Sequence, residues 1–375
     1  MTAETYLSWY KTRMNRIAAP DALSLMSSCI SEPWSLLKEI HRSPSDPLFE
    51  ARYWTPNPYG LPQLKERIAS RYGVPEKNVM ICQGATSGIY LVSQTFLKSG
   101  DRVLVESPGY EPLWQSPVLC GAQIDVLPRP QGDLPDDETV KRLVTPDTRL
   151  IMLTNLHNPT GREVSRERLQ RLVTAARAIA PGIRVVIDEI YLDFNPRRES
   201  PAWDLDPAVI ILSSLTKVYG LSILRCGWIF AREIDLDRLR KTQVLISGIG
   251  SRYMETLSTQ VFDRLEDCRR RSLEIIARNR PILEAGLASL FDGGYLAGKI
   301  PEHGCIAFLQ VPGVKDTECL TDFLEETESL FSVPGRFFGA PDHIRIGIGE
   351  ITPEKLETAM HRLRNGLTAF QSLDR

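Results

Sequence analysis

Several things are scarce in this chain, and each scarcity removes a class of protein. The N-terminal MTAETYLSWYKTRMNR is polar and lacks the apolar core of a signal peptide. No apolar run is long enough to span a bilayer. The seven cysteines are odd in number and show no C-x-x-C spacing, so neither a disulfide framework nor a zinc site is indicated. The five histidines show no H-x-x-x-H spacing, and no metal site is expected. A formal net charge of -2 gives no electrostatic reason to expect nucleic acid or an anionic membrane as partner. No short-period repeat or low-complexity tract occurs. A reducing cytoplasm is the expected compartment.

What is present suits a globular α/β protein. Hydrophobic residues make up 42% and charged residues 25% of the 375 positions, enough chain for a sizeable core. The apolar segments at 79–84, 102–107, 149–155, 184–189, 209–214 and 226–231 read as strands buried on both faces. Helical patterns such as 86–98 and 165–178 supply the crossovers, which predicts a mostly parallel (mixed) sheet flanked by helices. A helical stretch at about 253–290 leads away from it. Beyond lie IAFLQV, a helix, a short strand, IRIGIG and a final helix, which read as a smaller α+β domain. The expected organisation is 1–45 as the N-terminal part of the small domain, 46–285 as the large domain, and 286–375 as the C-terminal part of the small domain.

Four features fall at strand ends, where open α/β sheets place their ligand sites. Gly84-Ala85-Thr86 lies between a strand and a helix start; small residues there let backbone N–H groups approach an anion, although Thr86 also suits an ordinary N-cap. HNPTG, 157–161, follows the strand at 149–155 and is a turn that exposes Asn158. Asp188 and Glu189 end RVVIDE, and Tyr191 follows; a carboxylate ending an apolar strand needs a partner. Finally, Lys217 follows AVIIL, with Ser214 three residues before it and Arg225 eight after.

That last group points to chemistry. A lysine fixed at a strand end beside a hydroxyl and a guanidinium suits imine formation with an aldehyde that carries a phosphate, namely pyridoxal 5′-phosphate (PLP). Such an amine must be poorly protonated, and burial plus a nearby cationic ring are expected to lower its pKa.

Taken in order, GAT, SPGY, NPTG, D-E-x-Y, S-x-x-K with its later R, PGxxFG and R-I-G-I-G resemble fold-type I PLP-dependent enzymes of the class I/II aminotransferase family, over roughly Gly60 to Gly349. The resemblance implies roles. Lys217 is the expected Schiff-base lysine and the base for the substrate α-proton. Gly84, Ala85, Thr86, Ser214 and Arg225 form the phosphate cup. Tyr110 stacks on the pyridine ring, Asn158 and Tyr191 bond its phenolic oxygen, and Asp188 rather than Glu189 partners its nitrogen. Arg345 grips the substrate α-carboxylate, which Asn158 also approaches. A homodimer is implied, with Tyr53 or Tyr59 reaching the partner's site. An N-terminal segment near 23–34 is expected to close over substrate.

The activity so implied is transamination of an L-amino acid with a keto acid, through a carbanion delocalised into the ring. The same carbanion serves lyases, and cyclases that close capreomycidine- or enduracididine-type rings on hydroxylated arginine. A PLP-domain regulator without catalysis is the remote alternative; such proteins carry a DNA-binding extension.

Overall fold

The computed structural model describes residues 5–40, 59–197, 200–248 and 250–373. Seven strands form its main sheet: β1 (Val79–Cys82), β2 (Arg102–Ser107), β3 (Gln123–Pro128), β4 (Thr148–Thr154), β5 (Arg184–Asp188), β6 (Val209–Ser214) and β7 (Gly227–Phe230). Their spatial order is β1-β7-β6-β5-β4-β2-β3. Strands β3, β2, β4, β5 and β6 run parallel, whereas β7 is antiparallel to both its neighbours. The sheet is therefore mixed, and the start of β7 meets the C-terminal ends of its neighbours.

Hydrophobic pattern explains most of this. Every residue of β1, β6 and β7 is buried, as the continuous apolar runs require of strands covered on both faces. The helix Arg166–Ile179 begins where Ser165 accepts a hydrogen bond from the Arg168 N–H, and it buries Leu169, Leu172, Val173 and Ala176 on one stripe. Strand β3 has no counterpart in the sequence reading. It is an edge strand with mostly exposed or half-buried residues, so its apolar signal is weak.

A second sheet holds β8 (Ile306–Gln310), β9 (Val333–Pro334) and β10 (His343–Gly347) in the order β9-β10-β8, all antiparallel. The N-terminal helix Tyr6–Ile17 lies against it, with Trp9 buried among Phe308, Phe337 and Phe338. Leu23–Ser24 pairs in parallel with Leu330–Phe331. The helical stretch expected at 253–290 is two helices, Arg252–Phe262 and Leu265–Asp292. The second is continuous through 285/286, where a domain boundary was expected. The other expected boundary, at 45/46, lies outside the described residues. No helix among the described residues is long and apolar enough to cross a membrane.

Candidate active site

The C-terminal edge of the main sheet encloses a cavity of about 170 Å³ lined by Lys217, Asp188, Tyr191, Asn158, Tyr110, Arg225, Ala85 and Thr86, together with Thr154, Ile190 and Thr216. Larger hollows exist on the surface, between the helices Leu265–Asp292 and Pro353–Leu373 and beside Trp34. Neither contains any of the candidate catalytic or cofactor-binding residues, although the second is lined in part by Glu32, Pro33 and Trp34 of the 23–34 segment.

Lys217 sits on the loop after β6. Its ammonium donates to Ser28 Oγ at 3.1 Å and to Cys29 Sγ at 3.3 Å, while its carbonyl accepts from the Ile30 N–H. Burial acts to lower its pKa, as expected, but the net direction is well above the usual lysine range, because Cys29, Tyr191 and Tyr110 in their anionic forms act upward. Tyr110 and Tyr191 are themselves pushed up by burial, so their anions form only at high pH. Those two upward effects are therefore absent at neutral pH, where burial still acts to favour the neutral amine.

Asp188 ends β5 and is 2% exposed. It accepts from the Ile190 N–H at 3.1 Å and has no ion pair among the described residues. Burial pushes its carboxyl up to about 7, against smaller downward effects from that hydrogen bond and Lys217. Glu189 turns elsewhere and accepts from the Ala202 N–H at 3.1 Å. The sheet pleat explains the choice, since successive side chains leave opposite faces of a strand. Tyr191 is buried and donates to the Ser28 carbonyl at 3.2 Å.

The other predicted residues divide. Asn158 reaches the cavity, with its backbone N–H donated to Thr154 Oγ1 at 2.9 Å and its side-chain Oδ1 buried without a partner among the described residues. The Tyr110 hydroxyl is 3.3 Å from Thr86 Oγ1. Gly84 caps the helix Ala85–Phe96 with φ +83°, and a Cβ there would stand 2.7 Å from an Arg225 guanidinium nitrogen. Arg225 itself has φ +46°, a conformation unusual for a side-chain-bearing residue, and donates to the Gln83 carbonyl at 3.3 Å. Ser214 is fully buried, accepts from the Thr216 N–H at 3.2 Å and does not line the cavity; Thr216 does.

Arg345, on β10, is 2% exposed and lies outside the cavity lining. It still acts electrostatically on both Lys217 and Tyr191. One Nη donates to the Tyr6 hydroxyl at 3.2 Å and to the Met26 carbonyl at 3.0 Å, and Nε is buried without a partner. Tyr53 lies outside the described residues. Tyr59 is partly exposed, with the Arg240 guanidinium 5.7 Å above its ring.

Sequence reasoning missed Thr154, Thr216, Ser28 and Cys29. No motif marks the first two; only their places at the end of β4 and beside Lys217 would have suggested them. Among the described residues no group of three or more His, Cys, Asp or Glu side chains could hold a metal ion.

Comparison with known proteins gives the family and the fold. The family model described as aminotransferase class I and II matches residues 47–363. Capreomycidine synthase from Streptomyces vinaceus is 29% identical over 309 residues, covering 79% of this chain and 76% of that protein. A PLP-dependent aminotransferase from Streptococcus suis superposes with a TM-score of 0.86 at 22% identity, over 99% of both chains. The PLP-dependent cyclase OrfR superposes with a TM-score of 0.84 at 24% identity, over 97% and 96% of the two chains. At these identities the two structures establish the fold alone.

Proposed function

Because the chain belongs to the aminotransferase class I and II family, whose cofactor is PLP, we propose that it transfers the amino group of an L-amino acid to a keto acid. The observation that carries this reading is the convergence of Lys217, Asp188, Asn158, Tyr110, Tyr191 and Arg225 on one cavity.

The residues present fit the cofactor. Asp188 is a buried carboxyl without an ion pair among the described residues, at the place where a protonated ring nitrogen would supply one. No hydrogen bond among the described residues engages the Asn158 side-chain amide, so its Nδ2, on the cavity lining, is left to donate. Gly84, crowded by the Arg225 guanidinium, leaves backbone N–H groups and a cation facing the same point at a helix start, which suits a phosphate. Bound there, PLP supplies an electrophilic carbonyl and an electron sink for a carbanion at the substrate Cα.

In this reading Lys217 is the covalent anchor and, once released, moves the proton at Cα. Asp188 keeps the ring nitrogen protonated. Thr86 and Arg225 hold the phosphate, Tyr110 covers the ring, and Asn158 and Tyr191 bond the phenolic oxygen. Arg345 receives the substrate α-carboxylate as a bidentate fork. The segment 25–31, already bonded to Lys217 through Ser28 and Ile30, excludes water from above.

A second reading is ring closure on the amino-acid side chain, favoured by the likeness to capreomycidine synthase. One experiment separates the two. Purified protein with PLP is offered a panel of amino acids, arginine-derived ones included, with and without a keto acid, and products are weighed by mass spectrometry. Transamination yields keto acid product beyond one equivalent of bound cofactor only when a second keto acid is present. Ring closure proceeds without one, and that outcome replaces the first reading.

A homodimer belongs to this proposal. A cleft of about 220 Å³ opens on the other side of Arg225, lined by Gln83, Gln243 and Met254 among others. The exposed Val244, Leu245, Ile246 and Tyr253 lie on the two helices that bound it. A second copy seated there would cover those side chains and reach Arg225 from outside. Light scattering that gives a monomer mass would remove this part.

A further inference from the structure

Asn158 and Tyr110 stand on two loops whose backbones are tied to a buried group of charged side chains behind the cavity. Glu106, Arg129 and His157 are each at most 1% exposed. Glu106 Oε1 accepts from the Thr154 hydroxyl at 2.6 Å and the Thr154 N–H at 3.0 Å, and its Oε2 pairs with Arg129. The Thr154 hydroxyl has one proton, and Glu106 takes it. Its oxygen is thus left to accept from the Asn158 N–H at 2.9 Å. The chain has one polarity: Asn158 backbone N–H to Thr154 O–H to the Glu106 carboxyl, which pairs with Arg129. Arg129 also donates to the carbonyls of Gly132 and Thr154 and so joins the ends of β2, β3 and β4. His157 completes the group from the other loop. Its Nε2 is 2.8 Å from the Pro108 carbonyl, which can only accept, so Nε2 carries the proton and Nδ1 accepts from the Thr160 hydroxyl.

A buried ion pair is a poor source of stability, and removing one partner is costly. The reason for this one lies in what it holds. We infer that Glu106, paired with Arg129, is a positioning residue that acts through the Thr154 hydroxyl to fix the Asn158 carboxamide against the phenolic oxygen of bound PLP. This rests on the reading of the site given above.

The consequence is spectroscopic. Donation from Asn158 draws charge off the phenolic oxygen and weakens its hold on the proton at the neighbouring Lys217 nitrogen. Loss of that donation raises the pH at which the visible band of the bound cofactor titrates. Among the described residues the other titratable groups that act electrostatically with Lys217 are Asp188, Tyr110, Tyr191, Cys29, Arg345, Tyr10, Cys305 and Glu350, and the variants below leave them in place.

The test is a pH titration of that band in the PLP-loaded protein. Glu106→Gln is expected to move the midpoint up by about one pH unit. Thr154→Val keeps the side-chain shape, leaves the Glu106–Arg129 pair intact and should move it the same way; Thr154→Ser should restore it. In an Asn158→Ala background, Glu106→Gln should add nothing, because its effect passes through Asn158. If Glu106→Gln does not fold, Thr154→Val against Thr154→Ser decides alone. Wild-type midpoints in both Glu106→Gln and Thr154→Val overturn the inference, as does a shift that survives undiminished in the Asn158→Ala background. A wild-type protein that takes up no PLP overturns the proposed function itself, which is a separate result.

Discussion

Lys217 and Ser28 are joined by a 3.1 Å hydrogen bond between groups 189 residues apart in sequence. Through it the N-terminal segment is clamped between the lysine loop and the end of β10. Leu25 accepts from the Gly347 N–H at 2.7 Å, and Ile30 donates to the Lys217 carbonyl at 3.2 Å. A Cβ at Gly347 would stand 1.6 Å from the Ser27 carbonyl oxygen, and one at Gly349 2.0 Å from that of Cys29. The glycines of the terminal R-I-G-I-G therefore let a second backbone lie against that segment. One stretch of chain thus connects Lys217 to the strand that carries Arg345.

Lys217→Ala should abolish turnover, by at least about a thousandfold, since it removes both the covalent anchor and the proton carrier. It should also remove the visible band of the PLP-loaded protein. The checks are single-turnover kinetics and an absorbance spectrum. Near-normal activity would disprove the assignment.

Asp188 gives a pH prediction for the cofactor-free protein. Its folded pKa is raised by burial, from an ordinary 3.8 to about 7. Between these values the folded state binds more protons than the unfolded one, so stability falls as pH rises. The contribution is fully present below about pH 4 and gone above about pH 7. Glu106, also raised by burial to about 7, acts in the same sense. Asp188→Asn should therefore show a smaller fall in Tm between pH 4 and 7 than the wild type, measured by calorimetry without PLP. An identical fall in both proteins would mean that the Asp188 carboxyl is not displaced from its ordinary range.

Arg345 lies deep under aromatic cover, its guanidinium 4.8 Å from the Phe338 ring centre. Arg345→Ala should lower kcat/KM by the equivalent of ~2–5 kcal/mol, the usual cost of removing one partner from a buried charge pair. Arg345→Lys keeps the charge but not the planar fork, and should recover only part of that loss. An unchanged kcat/KM in Arg345→Ala would exclude contact with the substrate carboxylate.

Much of this could be read from sequence, for reasons visible in particular residues. The strands ending in Asp188 and Ser214 were legible because burial on both faces demands continuous apolar runs. Lys217, Asp188 and Asn158 were legible because each follows such a run at a strand end. Ser214 was placed correctly on its strand, but strand register directs its hydroxyl to the Thr216 N–H instead of the cavity. Strand β3 was not legible, because its outer positions are wet. Nor were Ser28 and Cys29, whose approach to Lys217 depends on a contact between distant parts of the chain. Glu106 and Arg129 were hidden for the same reason, each being an ordinary charged residue until the fold buries them together.

Gly84 offers the sharpest test of the anion site. Its φ of +83° with ψ of 163° is a region that only glycine occupies readily, and a side chain there costs about 1–3 kcal/mol. The added carbon would also stand 2.7 Å from the Arg225 guanidinium, which must swing away. Neighbouring Gly227 leaves no room for the backbone to yield, since its own Cβ position is 2.7 Å from Gly84 atoms. Gly84→Ala should therefore weaken PLP binding about ten- to a hundredfold, read as Kd by equilibrium dialysis. The Lys217 chemistry should survive at saturating PLP, because neither Lys217 nor Asp188 touches the substituted position. If Kd stayed at the wild-type value while the protein lost thermal stability, Gly84 would serve the strand-to-helix turn alone and the phosphate would have to sit elsewhere.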